Sequence, residues 1–137
     1  MSASLMASAS KVLSFLAFDF GTLRIGVASG NTVTRAAQPL RSVAASGSAR
    51  FDAIASLIAE WQPDALVVGV PCHPDGAAHE NTERAKRFAR QLHGRFRLTV
   101  HEVDERYTTT EALSQGAADL DAASAAIILE QFMRGLE

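Results

Sequence analysis

A chain of 137 residues, 47% hydrophobic and 20% charged, suits one folded domain whose core needs no disulfide or structural metal. Its single cysteine, Cys72, excludes an internal disulfide framework and a Cys-rich zinc site. A formal net charge of −2 leaves no global basicity to recruit a polyanion, so a nucleic-acid contact must use a local patch; of the 13 basic residues only Lys11 and Lys86 are not Arg, the better phosphate fork.

Residues 1–10, MSASLMASAS, read as a loose tail ahead of a single domain over 11–137. The apolar run VLSFLAF that follows is too short for a membrane span of ~20 residues and has no cleavage pattern behind it. A cytoplasmic protein without a membrane role is therefore expected. Residues 12–20, 24–29 and 32–37 read as strands, joined by tight turns at Gly21-Thr22 and Gly30-Asn31. Such short connections dictate an antiparallel meander, and Pro39 ends it. From Ser48 the apolar period changes to Phe51, Ile54, Ala55, Ile58 and Trp61, a helix that stops before Pro63 with Phe51 and Trp61 in the core. ALVVGV over 65–70 is continuously apolar, as in a strand buried on both faces, and Pro71 closes it. A loop over 72–80 leads to a helix over about 81–93, with Ala85, Phe88, Ala89 and Leu92 inward and Gly94 at its end. A fifth strand covers 97–103. Thr108 and Glu111 have capping-box spacing for a short helix that fades by Gly116. The last helix covers about 120–136, with Ala125, Ile128, Leu129, Phe132 and Leu136 on one stripe. The order βββ-α-β-α-β-α, with right-handed crossovers, predicts an α/β fold: a mixed five-stranded sheet with helices on both faces.

Chemistry enters at Asp19, a carboxylate delivered by an apolar strand between Phe18 and Phe20. Placing an acid there is costly unless it meets a cation or several donors. Capping of the Gly21 turn is the plain alternative. Two active chemistries fit: an acid that holds a divalent metal beside a phosphate, or an acid in an ATP-binding phosphate loop. Asp104 and Glu105 end the fifth strand, and Asp121 opens the last helix, four residues before Ala125 and seven before Ile128, hence on the inward stripe. A parallel sheet gathers ligands at its carboxyl edge, where these acids would meet. Hard oxygen donors from separate elements suit Mg²⁺ or Mn²⁺ and phosphoryl transfer. Arg24 follows the glycine turn and Arg106 the strand-end acids, each fit to bind a phosphate or to neutralise an acid. Arg84, Lys86, Arg87 and Arg90, with Arg95 and Arg97, form the one basic cluster, either a solvated helix face or a backbone-gripping footprint. It has no aromatic platform for single-strand stacking.

FDFGTLRIGVA, VVGVPCHPDG, DERYTT and DAASAAIIL, in that order, resemble the signatures of the YqgF family from about Leu16 to the C-terminus. These are RNase H-like proteins related to Holliday-junction resolvases and assigned to maturation of the 5′ end of 16S ribosomal RNA. The resemblance implies a metal-dependent nuclease with Asp19, Glu105 and Asp121 catalytic, and with Asp19, Glu105 or its neighbour Asp104, and Asp121 holding Mg²⁺ or Mn²⁺. Arg24, Arg84, Arg87, Arg90 and Arg106 are the expected nucleic-acid contacts. The expected partner is a ribosomal RNA precursor or a ribosomal particle, with branched DNA as the alternative substrate, and the chain is expected to be a monomer or a weak homodimer. LSQGAADL, which joins DERYTTTEA to the helix acid, is shorter than the family's basic linker, and Cys72 replaces its usual Leu. The short linker predicts a weaker substrate grip and leaves a non-catalytic ribosome-assembly module as a further reading. An ATP-binding domain of the actin and sugar-kinase type shares the Asp-x-Gly-Thr turn, but repeats the unit across a cleft, and 137 residues hold one copy.

Overall fold

The computed structural model describes residues 12–21, 23–44, 46–71, 81–104 and 120–136. The first three expected strands become β1 (Ser14–Phe20), β2 (Arg24–Asn31) and β3 (Ala37–Ala44), and the continuous apolar run becomes β4 (Ala65–Val70). The fifth strand is β5 (Thr99–Asp104). Three described helices, α1 (Ala49–Trp61), α2 (Thr82–Phe96) and α3 (Leu120–Arg134), carry the 3.6-residue stripes. Strand order is β3-β2-β1-β4-β5: β1 pairs antiparallel with β2 and parallel with β4, and β4 pairs parallel with β5. The predicted mixed five-stranded α/β sheet is therefore the one observed.

Alternation along β1 splits the core. Leu16 and Phe18 face α1 and α2, where they bury Phe51, Ile54, Leu57, Phe88, Ala89 and Leu92. Phe15 and Ala17 face the other side, packed with Ile128, Leu129 and Met133 of α3. All six residues of β4 are buried, as a strand covered on both faces requires.

Several boundaries differ from the sequence reading. The third strand begins at Ala37, not 32, and includes Pro39. The Asn31 side-chain carbonyl accepts the Val33 and Thr34 N–H groups (2.9 and 3.1 Å), so the reversal is an Asx turn. Arg35, in the left-handed region at φ 54°, continues that reversal. Pro39 is accommodated because β3 is an edge strand and its pairing with β2 is irregular between Val27 and Ala28. Gly94 does not stop α2, which continues to Phe96 and ends where Arg97 takes φ 59° and donates to the His93 carbonyl. Trp61 is 36% exposed at the end of α1 and so is not core. The tail over 1–10, the loop over 72–80 and the short helix expected near 108–116 lie outside the described residues.

Candidate active site

One row across the sheet organises the site. Ser42 of β3 pairs with Gly26 of β2, Gly26 with Asp19 of β1, Asp19 with Gly69 of β4, and Gly69 with Val103 of β5. Paired residues share a face, and this row shares the α3 face with Phe15 and Ala17. Asp19, half-buried near the carboxyl end of β1, is thus flanked on both neighbouring strands by glycine. No side chain from β2 or β4 occupies the positions beside its carboxylate in that row.

The same glycine seats the second acid. A Cβ built on Gly26 would lie 1.8 Å from the Asp121 carbonyl oxygen and 2.7 Å from the Ala122 nitrogen, so the first turn of α3 rests directly on the strand backbone. Small residues extend that contact, with Ala28 buried against Ala125 and Ala126. Asp121 therefore lies over the strand next to that of Asp19, in the first turn of its helix, where the dipole favours an acid. Its Oδ2 accepts from Arg24 Nε at 2.7 Å and from Ser42 Oγ at 3.4 Å. Arg24, expected to act near Asp19, is thus engaged by the helix acid. Ser42 escaped the sequence reading, since a strand placed at 32–37 could not bring it to this row.

The other expected positions separate by face. On β5, Val100 packs with the α1/α2 core and Val103 with the α3 core, so Asp104 falls on the α2 side, opposite to Asp19. Glu105 and Arg106 lie outside the described residues. Arg84, Arg87 and Arg90 are exposed on α2, on the face away from Asp121, and Arg90 pairs with Glu83 at 3.1 Å. The guanidinium of Arg95 stands over the Phe51 ring, 3.9 Å from its centroid.

The Asp121 carboxylate with Ser42 Oγ beside it, and the Asp19 carboxylate on the neighbouring strand row, are oxygen donors without thiolate or imidazole, the ligand chemistry that Mg²⁺ or Mn²⁺ would take. Among the described residues, no three His, Cys, Asp or Glu side chains meet as a metal group. A concavity of about 510 Å³ lies at the opposite end of the sheet, lined by residues including Ser14, Asn31, Thr34 and Trp61. Among the described residues, its lining has no titratable side chain.

A family model described as "RuvX: Holliday junction resolvase" matches residues 13–135. The chain belongs to this family. It is 68% identical over 122 residues to a protein of Polaromonas sp., covering 89% of this chain and 88% of that one, and 66% identical over 128 residues to a protein of Albidiferax ferrireducens, covering 93% and 82%. Both relatives are named "Putative pre-16S rRNA nuclease". Among solved structures, Thermus thermophilus RuvC in complex with a Holliday junction superposes with a TM-score of 0.57 at 13% identity, covering 89% of this chain and 94% of that one. That likeness establishes an RNase H-like fold for this RuvX protein. The motifs that resemble the YqgF family thus lie in a chain whose family and fold agree with them.

Proposed function

We propose that the chain is a divalent-metal-dependent endonuclease that hydrolyses phosphodiester bonds of structured RNA, with the 5′ end of the 16S ribosomal RNA precursor as its substrate. The observation that carries this reading is the seating of Asp121 on Gly26, one strand from Asp19, in a chain of the RuvX family whose relatives are named for that substrate. Asp19 and Asp121 would hold the cation. Glu105 is the third acid of the proposal, preferred because Asp104 falls on the opposite sheet face. A cation held there supplies charge stabilisation at the scissile phosphate and a more acidic water nucleophile. The acids orient that water for attack on phosphorus as the bond to the leaving oxygen breaks. Arg24 stands beside the acids and neutralises phosphate charge, while Arg84, Arg87, Arg90 and Arg106 hold the backbone without reading sequence.

Branched DNA is the second substrate reading, favoured by the family's description as Holliday junction resolvases. The two are separated by incubating purified protein with Mn²⁺ and either precursor 16S RNA in its ribosomal particle or a four-way DNA junction. Release of the RNA 5′ leader by the wild type, absent from an Asp19→Asn control, is the expected result. Cutting of the junction but not of the RNA would transfer the activity to DNA; cutting of neither would favour an assembly role over catalysis.

A further inference from the structure

The Arg24–Asp121 contact joins the first residue of β2 to the first turn of α3 across 97 positions of sequence. It uses one guanidinium donor, Nε, and one carboxylate oxygen, Oδ2, at 2.7 Å, the short end expected of a charge-assisted bond. Ser42 Oγ approaches that same oxygen. The two side chains are unequally exposed, Arg24 at 67% and Asp121 at 33%. Asp121 is held by its helix backbone, which rests on Gly26, whereas the guanidinium stands in solvent at the end of a flexible stem. The fixed partner is the acid and the movable one is the arginine.

A metal ion bonded to Oδ2 would stand ~2.1 Å from it. With Nε on the far side of that oxygen, the guanidinium and a doubly charged ion would be within ~5 Å of each other, where like charges repel even through water. The screened, exposed ion pair is the weaker of the two associations. We propose that Arg24 and a divalent cation are alternative occupants of Asp121 Oδ2: Arg24 is a positioning residue that orients the carboxylate and balances its charge in the cation-free protein, and it is displaced when the cation binds. The inference rests on Asp121 being a cation ligand, as proposed above. Its consequence is a cation affinity set below the value that the acids alone would give.

Titration of the full chain with MnCl₂ by calorimetry, on wild type, Arg24→Gln and Asp19→Asn, tests this. Arg24→Gln should bind Mn²⁺ about threefold to tenfold more tightly than wild type, since a competing and repelling charge is removed. In EDTA the variant should melt below wild type, and in saturating Mn²⁺ the two melting temperatures should converge, because the contact no longer exists in the loaded wild type. Asp19→Asn should lose the binding altogether. Equal or weaker Mn²⁺ affinity in Arg24→Gln, with Asp19→Asn still losing it, would overturn the Arg24 proposal and leave the metal site standing. If wild type fails to bind Mn²⁺, or Asp19→Asn binds it unchanged, the metal site itself falls and this inference with it.

Discussion

Replacing Gly26 with Ala tests the seating of α3 on the sheet. The new Cβ would stand 1.8 Å from the Asp121 carbonyl oxygen, 2.1 Å from its carbon and 2.7 Å from the Ala122 nitrogen. All three are backbone atoms, so no rotamer change relieves the clash. Carbon and oxygen in contact need ~3.3 Å, so the first turn of α3 must retreat by ~1.5 Å against a close-packed interior that resists displacement. Overpacking of this kind costs ~1–3 kcal/mol, and a backbone obstacle puts Gly26→Ala at the upper end. For a domain of this size that is a fall of roughly 10 °C in Tm. The same shift moves Asp121 away from Asp19, and a ~1 Å misplacement at a reacting centre is worth ~10²-fold in rate. Thermal unfolding by circular dichroism, Mn²⁺ calorimetry and RNA cleavage should therefore all respond. Gly94→Ala is the matched control: among the described residues a Cβ there meets no packing neighbour within 4 Å, the site is inside α2, and the variant should gain ~0.5–1 kcal/mol with cleavage unchanged. A Gly26→Ala protein with wild-type Tm and wild-type Mn²⁺ affinity would refute the claim that this glycine sets the distance between the acids.

Asp19→Asn should lower RNA cleavage by ~10³-fold or more, since the loss of several kcal/mol of charge stabilisation is at stake, while circular dichroism shows an intact fold; unchanged cleavage would remove Asp19 from the site. Phe88→Ala should destabilise by ~3–5 kcal/mol in urea unfolding, because this ring is 1% exposed and packs against Phe18, Phe20 and Phe51; a loss under 1 kcal/mol would show that the α2 core collapses around the gap. Arg84→Ala and Arg87→Ala should each reduce the slope of log affinity for RNA against log salt by ~1, and Arg90→Ala by less, since Glu83 already pairs with it; identical slopes in all three would mark α2 as a solvated face.

What was legible in the sequence followed from periods and from chemical incongruity. ALVVGV admitted little but a central strand, and Ala85, Phe88, Ala89 and Leu92 repeated so regularly that the inward face of α2 could be read directly. Asp19 stood out as an acid among apolar residues, and the spacing of Asp121 to Ala125 and Ile128 placed it on the inward stripe of α3. Tertiary relations decided the rest. Pro39 argues against a strand unless the strand is known to be an edge, and edge status is a property of the sheet order. Gly94 argues for a helix end unless packing of Phe88 and Leu92 carries the helix past it. Trp61 fell on the apolar period of α1, yet its place at the helix end leaves it partly in solvent. Ser42 had no local signature, and Gly26, though inside FDFGTLRIGVA, had none that pointed to its role as a seat for α3. Their role comes from the register Ser42–Gly26–Asp19, which pairs three strands that sequence spacing alone cannot align.

The split of basic and acidic groups between sheet faces constrains how a polyanion can meet this surface. Asp19 and Asp121 lie on the α3 side, whereas the arginines of α2 lie on the other. The two sets approach each other only at one edge. There β1, β4 and β5 end, β2 and α3 begin, and α2 starts where the Thr82 hydroxyl donates to the Pro71 carbonyl just past β4, so Arg84 is the α2 arginine closest to that edge along the helix. Helix rise places Arg90 ~9 Å and Arg97 ~20 Å further from that edge. Arg95 and Arg90 are also engaged, by the Phe51 ring and by Glu83. In the proposed site, a backbone with its cleaved phosphate at Asp19 would meet Arg24 on the same face, and would reach Arg84 and Arg87, the first exposed arginines of α2, only by crossing the sheet edge. A substrate with two backbones at a fixed spacing, a duplex or a junction arm, can touch both faces at once, while a single extended strand would have to bend around the edge to do so. With the acids as the reacting centre proposed above, this placement of charge would favour structured nucleic acid for the same reason that it divides the arginines unequally: grip would fall off with distance down α2, starting from the edge where the acids lie.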